Sequence, residues 1–136
     1  MRTLLVVLLF ASPAFALKKA SEIVGYWEGI CMSDDEGSWR SNADYRADLT
    51  VSYGADLWDS YDCTGPVIDH ELENTTYSVG ADLPSGATEL DVIGKDGGKV
   101  FTVFKIVGDK LFHGNGVEDA TKRPTDVNKL AFTRVQ

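Results

Sequence analysis

The chain is poor in the residues that build metal centres and covalent catalysis. Its 136 residues include two cysteines and two histidines, with no Cys-x-x-Cys or His-x-x-x-His spacing to gather them round a zinc ion. No Ser–His–Asp arrangement and no carboxylate pair of usable spacing is visible, so the sequence points away from an enzyme and implies no cofactor and no metal. Basic residues are also scarce: 13 Lys and Arg face 21 Asp and Glu, a net charge of −8. Such a surface repels phosphate backbones and anionic lipid, and no basic stripe with interleaved aromatics offsets it. Nucleic acid is therefore not an expected partner. There is no internal repeat and no low-complexity segment, and the length suits one domain.

The one unbroken apolar run is Leu4 to Phe10. It is far short of the roughly 18 residues that span a bilayer, so no membrane span is expected. Arg2 precedes it, and Ser12-Pro13 and the small-x-small triplet Ala14-Phe15-Ala16 come after it. This is the order of a cleaved secretory signal peptide. The reading is a signal peptide over 1–16 and a mature domain over 17–136, periplasmic or secreted. In an oxidising compartment Cys31 and Cys63 read as a disulfide. The loop it closes, about 32 residues, is worth roughly 3–4 kcal/mol in the chain-entropy picture.

Beyond the leader the chain is a series of short β-rich runs separated by turn residues, the pattern of a sandwich or barrel. The first run is Ile23–Cys31, with glycines flanking Trp27 on one face. The second has the clearest alternation, Tyr45, Ala47, Leu49, Val51 and Tyr53 against Arg46, Asp48, Thr50 and Ser52, which predicts one apolar and one wet face. Gly54-Ala55 reads as a hairpin turn into a third run, Asp56–Cys63. The fourth and fifth runs are Leu72–Val79 and Thr88–Lys95. Asp96-Gly97-Gly98 then turns into Lys99–Val107, and Gly108-Asp109 into Lys110–His113. A long polar connection, Gly114–Asn128, precedes the eighth run, Lys129–Val135. Eight runs with mostly tight turns predict an all-β, eight-stranded antiparallel up-and-down barrel, closed so that no edge stays open. Because strands two apart lie nearly 10 Å from each other, one cysteine must sit where the chain leaves the wall, and an inward bend is the expectation.

The segment Val24-Gly25-Tyr26-Trp27 resembles the Gly-x-Trp signature on the first strand of lipocalins and their calycin relatives. There the Trp plugs one barrel end and an Arg of the last strand packs across it. Arg134, with Leu130 and Phe132 on its face, stands in the matching place. The resemblance implies a structural plug of Gly25, Trp27 and Arg134, and a guanidinium over an indole would add about 0.5–2 kcal/mol. The chain is shorter than a typical lipocalin and shows no C-terminal helix, and Ser33–Asn42 is too short and polar for the helical lid of fatty-acid-binding proteins. A family of small periplasmic inhibitors of secreted metalloproteases is similar to it in export, size, Gly-x-Trp start and single disulfide.

Other residues carry weaker signals. Ser33-Asp34-Asp35-Glu36-Gly37-Ser38 lacks the spacing of a calcium loop and reads as a solvated acidic loop. Asp69-His70-Glu71 has no nucleophile or second His and reads as exposed loop, and His113 as a structural or rim histidine. Asn74-Thr75-Thr76 is a glycosylation sequon, of use only in a host that glycosylates exported chains. Trp39 and Trp58 fall in or beside loops, where a rim or binding role competes with a bland one. Tyr45, Leu49, Val51, Tyr61, Phe104 and Phe132 are expected inside the barrel, the first five as its ligand-binding set. The function these observations favour is a monomeric binding protein that holds a small apolar or amphipathic ligand in the barrel or at its mouth. The alternative is an inhibitor of a secreted protease or hydrolase that binds a protein partner, with Leu17–Glu22 as a short polar tail suited to insertion into the partner's cleft.

Overall fold

The structure, a computed structural model, describes residues 19–136. The signal peptide read over 1–16 lies outside the described residues. Residues 19–23 are helical. Eight strands succeed them: β1 (Gly25–Asp34), β2 (Gly37–Tyr45), β3 (Thr50–Trp58), β4 (Asp69–Asp82), β5 (Thr88–Ile93), β6 (Lys99–Val107), β7 (Lys110–His113) and β8 (Ala131–Val135). Each pairs antiparallel with the next, and β8 returns to β1 through Trp27↔Arg134, so the sheet is a closed up-and-down barrel. Among the described residues no helix is long and apolar enough to cross a membrane.

The later strands are set by their turns. Gly94–Gly98 closes through Gly94 N–H to Gly98 O (2.9 Å) and Gly97 N–H to Gly94 O (3.0 Å), with the Asp96 carboxylate accepting from Gly98 N (3.0 Å). Inward-facing Leu90, Val92, Phe104, Ile106 and Leu111 then meet round the core at a period of two.

The first half differs from the expectation. Tyr45–Tyr53 is not one strand: it holds the end of β2, a turn at 46–49 and the start of β3. Leu49 adopts φ 67°, and the turn closes through Leu49 N–H to Arg46 O (3.1 Å) and Arg46 N–H to Thr50 O (2.9 Å). The Asp48 carboxylate fixes it by accepting from Thr50 N (3.0 Å) and Thr50 Oγ1 (2.6 Å). Gly54-Ala55, expected as a turn, lies inside β3. A Cβ at Gly54 would stand 2.5 Å from Glu71 O on the neighbouring strand, so this glycine serves close strand approach, not reversal. Ser33–Ser38, expected as a loop, is the β1–β2 hairpin, and Asp69–Glu71 opens β4.

Cys31 and Cys63 form the disulfide, with Cα atoms 6.0 Å apart. The bend that permits it is outward, not inward. β1 slips register between Glu28 and Cys31, which turns Cys31 to the outer face beside Arg40. The chain after β3 folds back over that face. It covers Ser38, whose hydroxyl donates to Ser60 O (2.6 Å) and accepts from Cys63 N (2.9 Å). Trp58 is 8 % exposed beneath this loop, its Nε1 donating to Gly65 O (3.1 Å). It is a structural residue, which corrects the rim role considered for it.

The long connection after β7 crosses the outside of β5 and β6. Arg123 staples it there, pairing with Asp91 (2.6 Å) and Glu89 (3.4 Å) and donating to Leu90 O (3.2 Å) and Thr102 O (2.9 Å).

Candidate functional site

One end of the barrel is sealed. Trp27 is fully buried, and its Nε1 donates to Ile23 O (2.8 Å), which holds the helical residues 19–23 across the opening. The Arg134 guanidinium lies 4.1 Å from the Trp27 ring centre. It donates from Nη1 to Val24 O (2.8 Å) and from Nη2 to Glu22 O (2.9 Å). Gly25, at φ 145°, leaves room for that guanidinium: a Cβ would overlap Nη1. Residues 19–22 are thus helical and held to the barrel end at Glu22 O, whereas residues 17 and 18 of the expected polar tail lie outside the described residues. Leu130, expected beside Phe132, is 51 % exposed ahead of β8.

Above the plug, Ala43, Tyr45, Val51, Leu90, Phe104 and Leu111 fill the cross-section and are buried. The Tyr77 ring meets Tyr45 edge-on at 5.1 Å, and its hydroxyl donates to Arg46 O (2.8 Å).

The upper surface of this layer is polar. Tyr45 Oη lies 2.5 Å from Tyr53 Oη and 2.9 Å from His113 Nε2. The His113 ring stacks on Tyr45 at 6.1 Å and meets Phe132 edge-on at 5.4 Å. Burial pushes the His113 imidazole down to about 4 and the Tyr53 phenol up to about 12, and holds Tyr45 well above the usual phenol range. At neutral pH all three groups are uncharged. Each phenol has one proton to give, so the chain runs either from Tyr53 toward His113 or the reverse. In both directions one end of the chain keeps a donor and the other an acceptor.

Toward the other end the inward-facing side chains open to solvent. Register places Met32, Trp39 and Leu57 on one inner level, Ser41, Ala55 and Glu71 on the next, and Ala43, Tyr53 and Glu73 beside the polar floor. Trp39, Ser41, Tyr53, Ala55 and Leu57 are half-buried, whereas the inward residues below them are closed off. By register this upper level is cup-shaped, with Met32, Trp39 and Leu57 at its rim, Ser41, Ala55 and the Glu71 and Glu73 carboxylates in its wall, and the neutral Tyr45–Tyr53–His113 chain at its floor.

The expected ligand set divides. Tyr45, Val51 and Phe104 are inside and buried, Tyr45 with its hydroxyl in the floor. Leu49 lies in the β2–β3 turn at the closed end, 44 % exposed, and Tyr61 is 65 % exposed on the outer loop, its hydroxyl donating to Asp35 O (3.3 Å). Neither is interior, because the turn and the outward bend remove both from the wall. Tyr53, His113 and Trp39 complete the cup. Tyr53 shares the parity of Tyr45 through the register, and His113 that of buried Leu111, which is the signal the sequence offers for them. Elsewhere, His70 Nδ1 stands 3.4 Å from Asp56 on the exposed outer face. Asn74 is exposed, with its Oδ1 accepting from Ser52 Oγ. Among the described residues no three His, Cys, Asp or Glu gather to hold a metal ion.

Neither a protein-family model, nor a curated protein, nor a solved structure matches this chain.

Proposed function

We propose that this protein is an exported, monomeric calycin-like binding protein that holds a small amphipathic molecule at the open end of its barrel and performs no chemistry on it. The observation that carries this reading is the contrast along the barrel axis: a sealed lower half beneath a solvent-open upper half whose floor is the Tyr45–Tyr53–His113 chain. An apolar portion would lie against Trp39, Leu57 and Met32, and a hydroxyl, carbonyl or amine would meet the floor, where desolvated hydrogen bonds fix orientation. The lower core is filled, so the ligand sits at the mouth and not deep inside. Export rests on the N-terminal signal pattern together with the disulfide, which persists in oxidising compartments. The calycin relation rests on the Gly25–Trp27–Arg134 stack within a closed eight-stranded meander.

Native mass spectrometry of protein purified from its own host tests this. The expected result is an adduct of small-molecule mass that disappears in a Trp39→Ala, Leu57→Ser variant. A spectrum of bare protein, together with no binding of phenylnaphthylamine, would contradict it. Co-purification of a protease or hydrolase would favour the inhibitor reading instead.

A further inference from the structure

The wall of the barrel is incomplete along part of one strand. β4 pairs with β3 from Asp69 to Thr76, but with β5 only from Thr76 onward. From Asp69 to Thr75 the side of β4 turned away from β3 has no partner strand among the described residues. Register fixes which groups face that gap. Tyr77 N donates to Leu49 O (3.0 Å), so by two-residue alternation residues 75, 73 and 71 direct their N–H and C=O groups to β3. Residues 70, 72 and 74 direct theirs the other way, the direction in which Thr76 meets Ile93 of β5. The His70 N–H is taken by the Asp69 carboxylate (2.8 Å). Leu72 and Asn74 have no strand opposite them.

This edge is accessible and flanked by a hollow. Residues 69–74 are all exposed, Leu72 at 57 %, with Val67 and Ile68 exposed just before them. A depression of about 440 Å³ runs between Glu73 and the group Gly94, Asp96, Lys99 and Glu118. Asp69, Glu71 and Glu73 share the inner side of the edge, and none of them enters an ion pair among the described residues. Lys99 is the one cation lining the depression.

We infer that this edge takes up an extended segment of a partner protein by strand addition, a segment in which basic side chains alternate with apolar ones. The added strand continues the line of β5 beyond Ile93, where the Gly94–Gly98 turn leaves the wall. Main-chain bonds to Leu72 and Asn74 hold it, and pleating sorts its side chains to alternate sides. Basic residues of one parity meet Asp69, Glu71 and Glu73, and apolar residues of the other parity meet Leu72. Charges placed on an edge normally repel incoming strands. Here all three carry one sign, so they turn away a second acidic copy of this chain and admit a strand of opposite charge. The edge adjoins the cup, because Glu71 and Glu73 also face inward through their register with Ala55 and Tyr53. The two sites differ in the groups engaged, main-chain bonds at Leu72 and Asn74 here and the Tyr45–Tyr53–His113 chain there.

The test uses a seven-residue peptide of alternating Lys and Val against the nitrogen-labelled protein. The expected result is saturable binding, with shifted and exchange-protected amides at Leu72 and Asn74. Leu72→Pro removes a donor that faces the gap and none that faces β3, and should weaken binding by at least about tenfold. Should that variant not fold, the same peptide N-methylated on the amides that would face β4 makes the decision on the unaltered chain, with the same loss expected. A Lys peptide of equal charge interrupted by prolines should not bind. Equal binding of the proline or N-methylated peptide, shifts confined to other strands, or no binding of the Lys–Val peptide would each overturn the inference. Equal binding of a Glu–Val peptide would overturn the basic character assigned to the partner.

Discussion

The two ends of the barrel use the same alternating strands and commit their polar groups in opposite ways. At the closed end the strong donors are committed to main-chain acceptors: the Trp27 indole to Ile23 O, and the Arg134 guanidinium to Val24 O and Glu22 O while it stacks on the indole face. At the open end, Tyr53 and His113 are linked through Tyr45 but keep capacity in reserve, and Glu71 and Glu73 stand without ion partners among the described residues. Saturated polar groups fix a structure, whereas groups with spare capacity at a solvent-open position suit recognition.

Substitutions break this contrast most sharply at the closed end. Trp27→Ala should cost about 3–5 kcal/mol, since it empties a fully buried site and removes the ring on which the Arg134 guanidinium stacks. Chemical denaturation would show the loss, and one under about 1 kcal/mol would mean that the end is not sealed by this residue.

Replacing Cys31 and Cys63 together by Ala should cost roughly 3 kcal/mol through the freed loop. Proteolytic cuts in that variant should fall in residues 59–68, with the closed end intact.

His113 links stability to pH. Its folded value lies near 4 against an unfolded value near 6.5. As pH falls below about 6.5 the unfolded chain takes a proton that the folded chain refuses. Stability therefore drops between about pH 6.5 and 4, by roughly 3 kcal/mol in all, and this loss is complete below the folded value. A His113→Phe variant should lose that acid sensitivity; an unchanged pH profile would place the titrating group elsewhere.

Arg134→Ala should cost about 2 kcal/mol, as the stack and two main-chain bonds go together. A change inside about 0.5 kcal/mol, typical of a surface site, would mean the plug contributes nothing. At the open end Trp39→Ala should cost less than about 1 kcal/mol while removing ligand binding.

The second half of the fold is legible in the sequence because turn chemistry and periodicity agree there, as at Asp96-Gly97-Gly98. In the first half they compete. Leu49 continues an apolar alternation while sitting in a turn at positive φ, and the Asp48–Thr50 hydrogen bonds that hold the turn leave no periodic trace. β2 is hidden by small or polar inward residues, Ser41 and Ala43, between Trp39 and Tyr45. The Gly25–Trp27–Arg134 geometry is anticipated through the resemblance of Gly25-x-Trp27 and Arg134 to the lipocalin signature. The cup is not, because it depends on which strand levels stay open, and that is set by the true register of β2, β3 and β4.

Ligand capture at the open end is decided by where a bound molecule perturbs the protein. Nuclear magnetic resonance of the labelled chain during titration with phenylnaphthylamine, or with the adduct recovered from the host, locates it. Binding in the cup predicts shifts at Trp39, Ser41, Tyr53, Leu57 and His113, with the Trp27 indole and Arg134 signals unmoved. Shifts centred on Trp27 and Arg134, or on the outer face of β2 and β3, would contradict it.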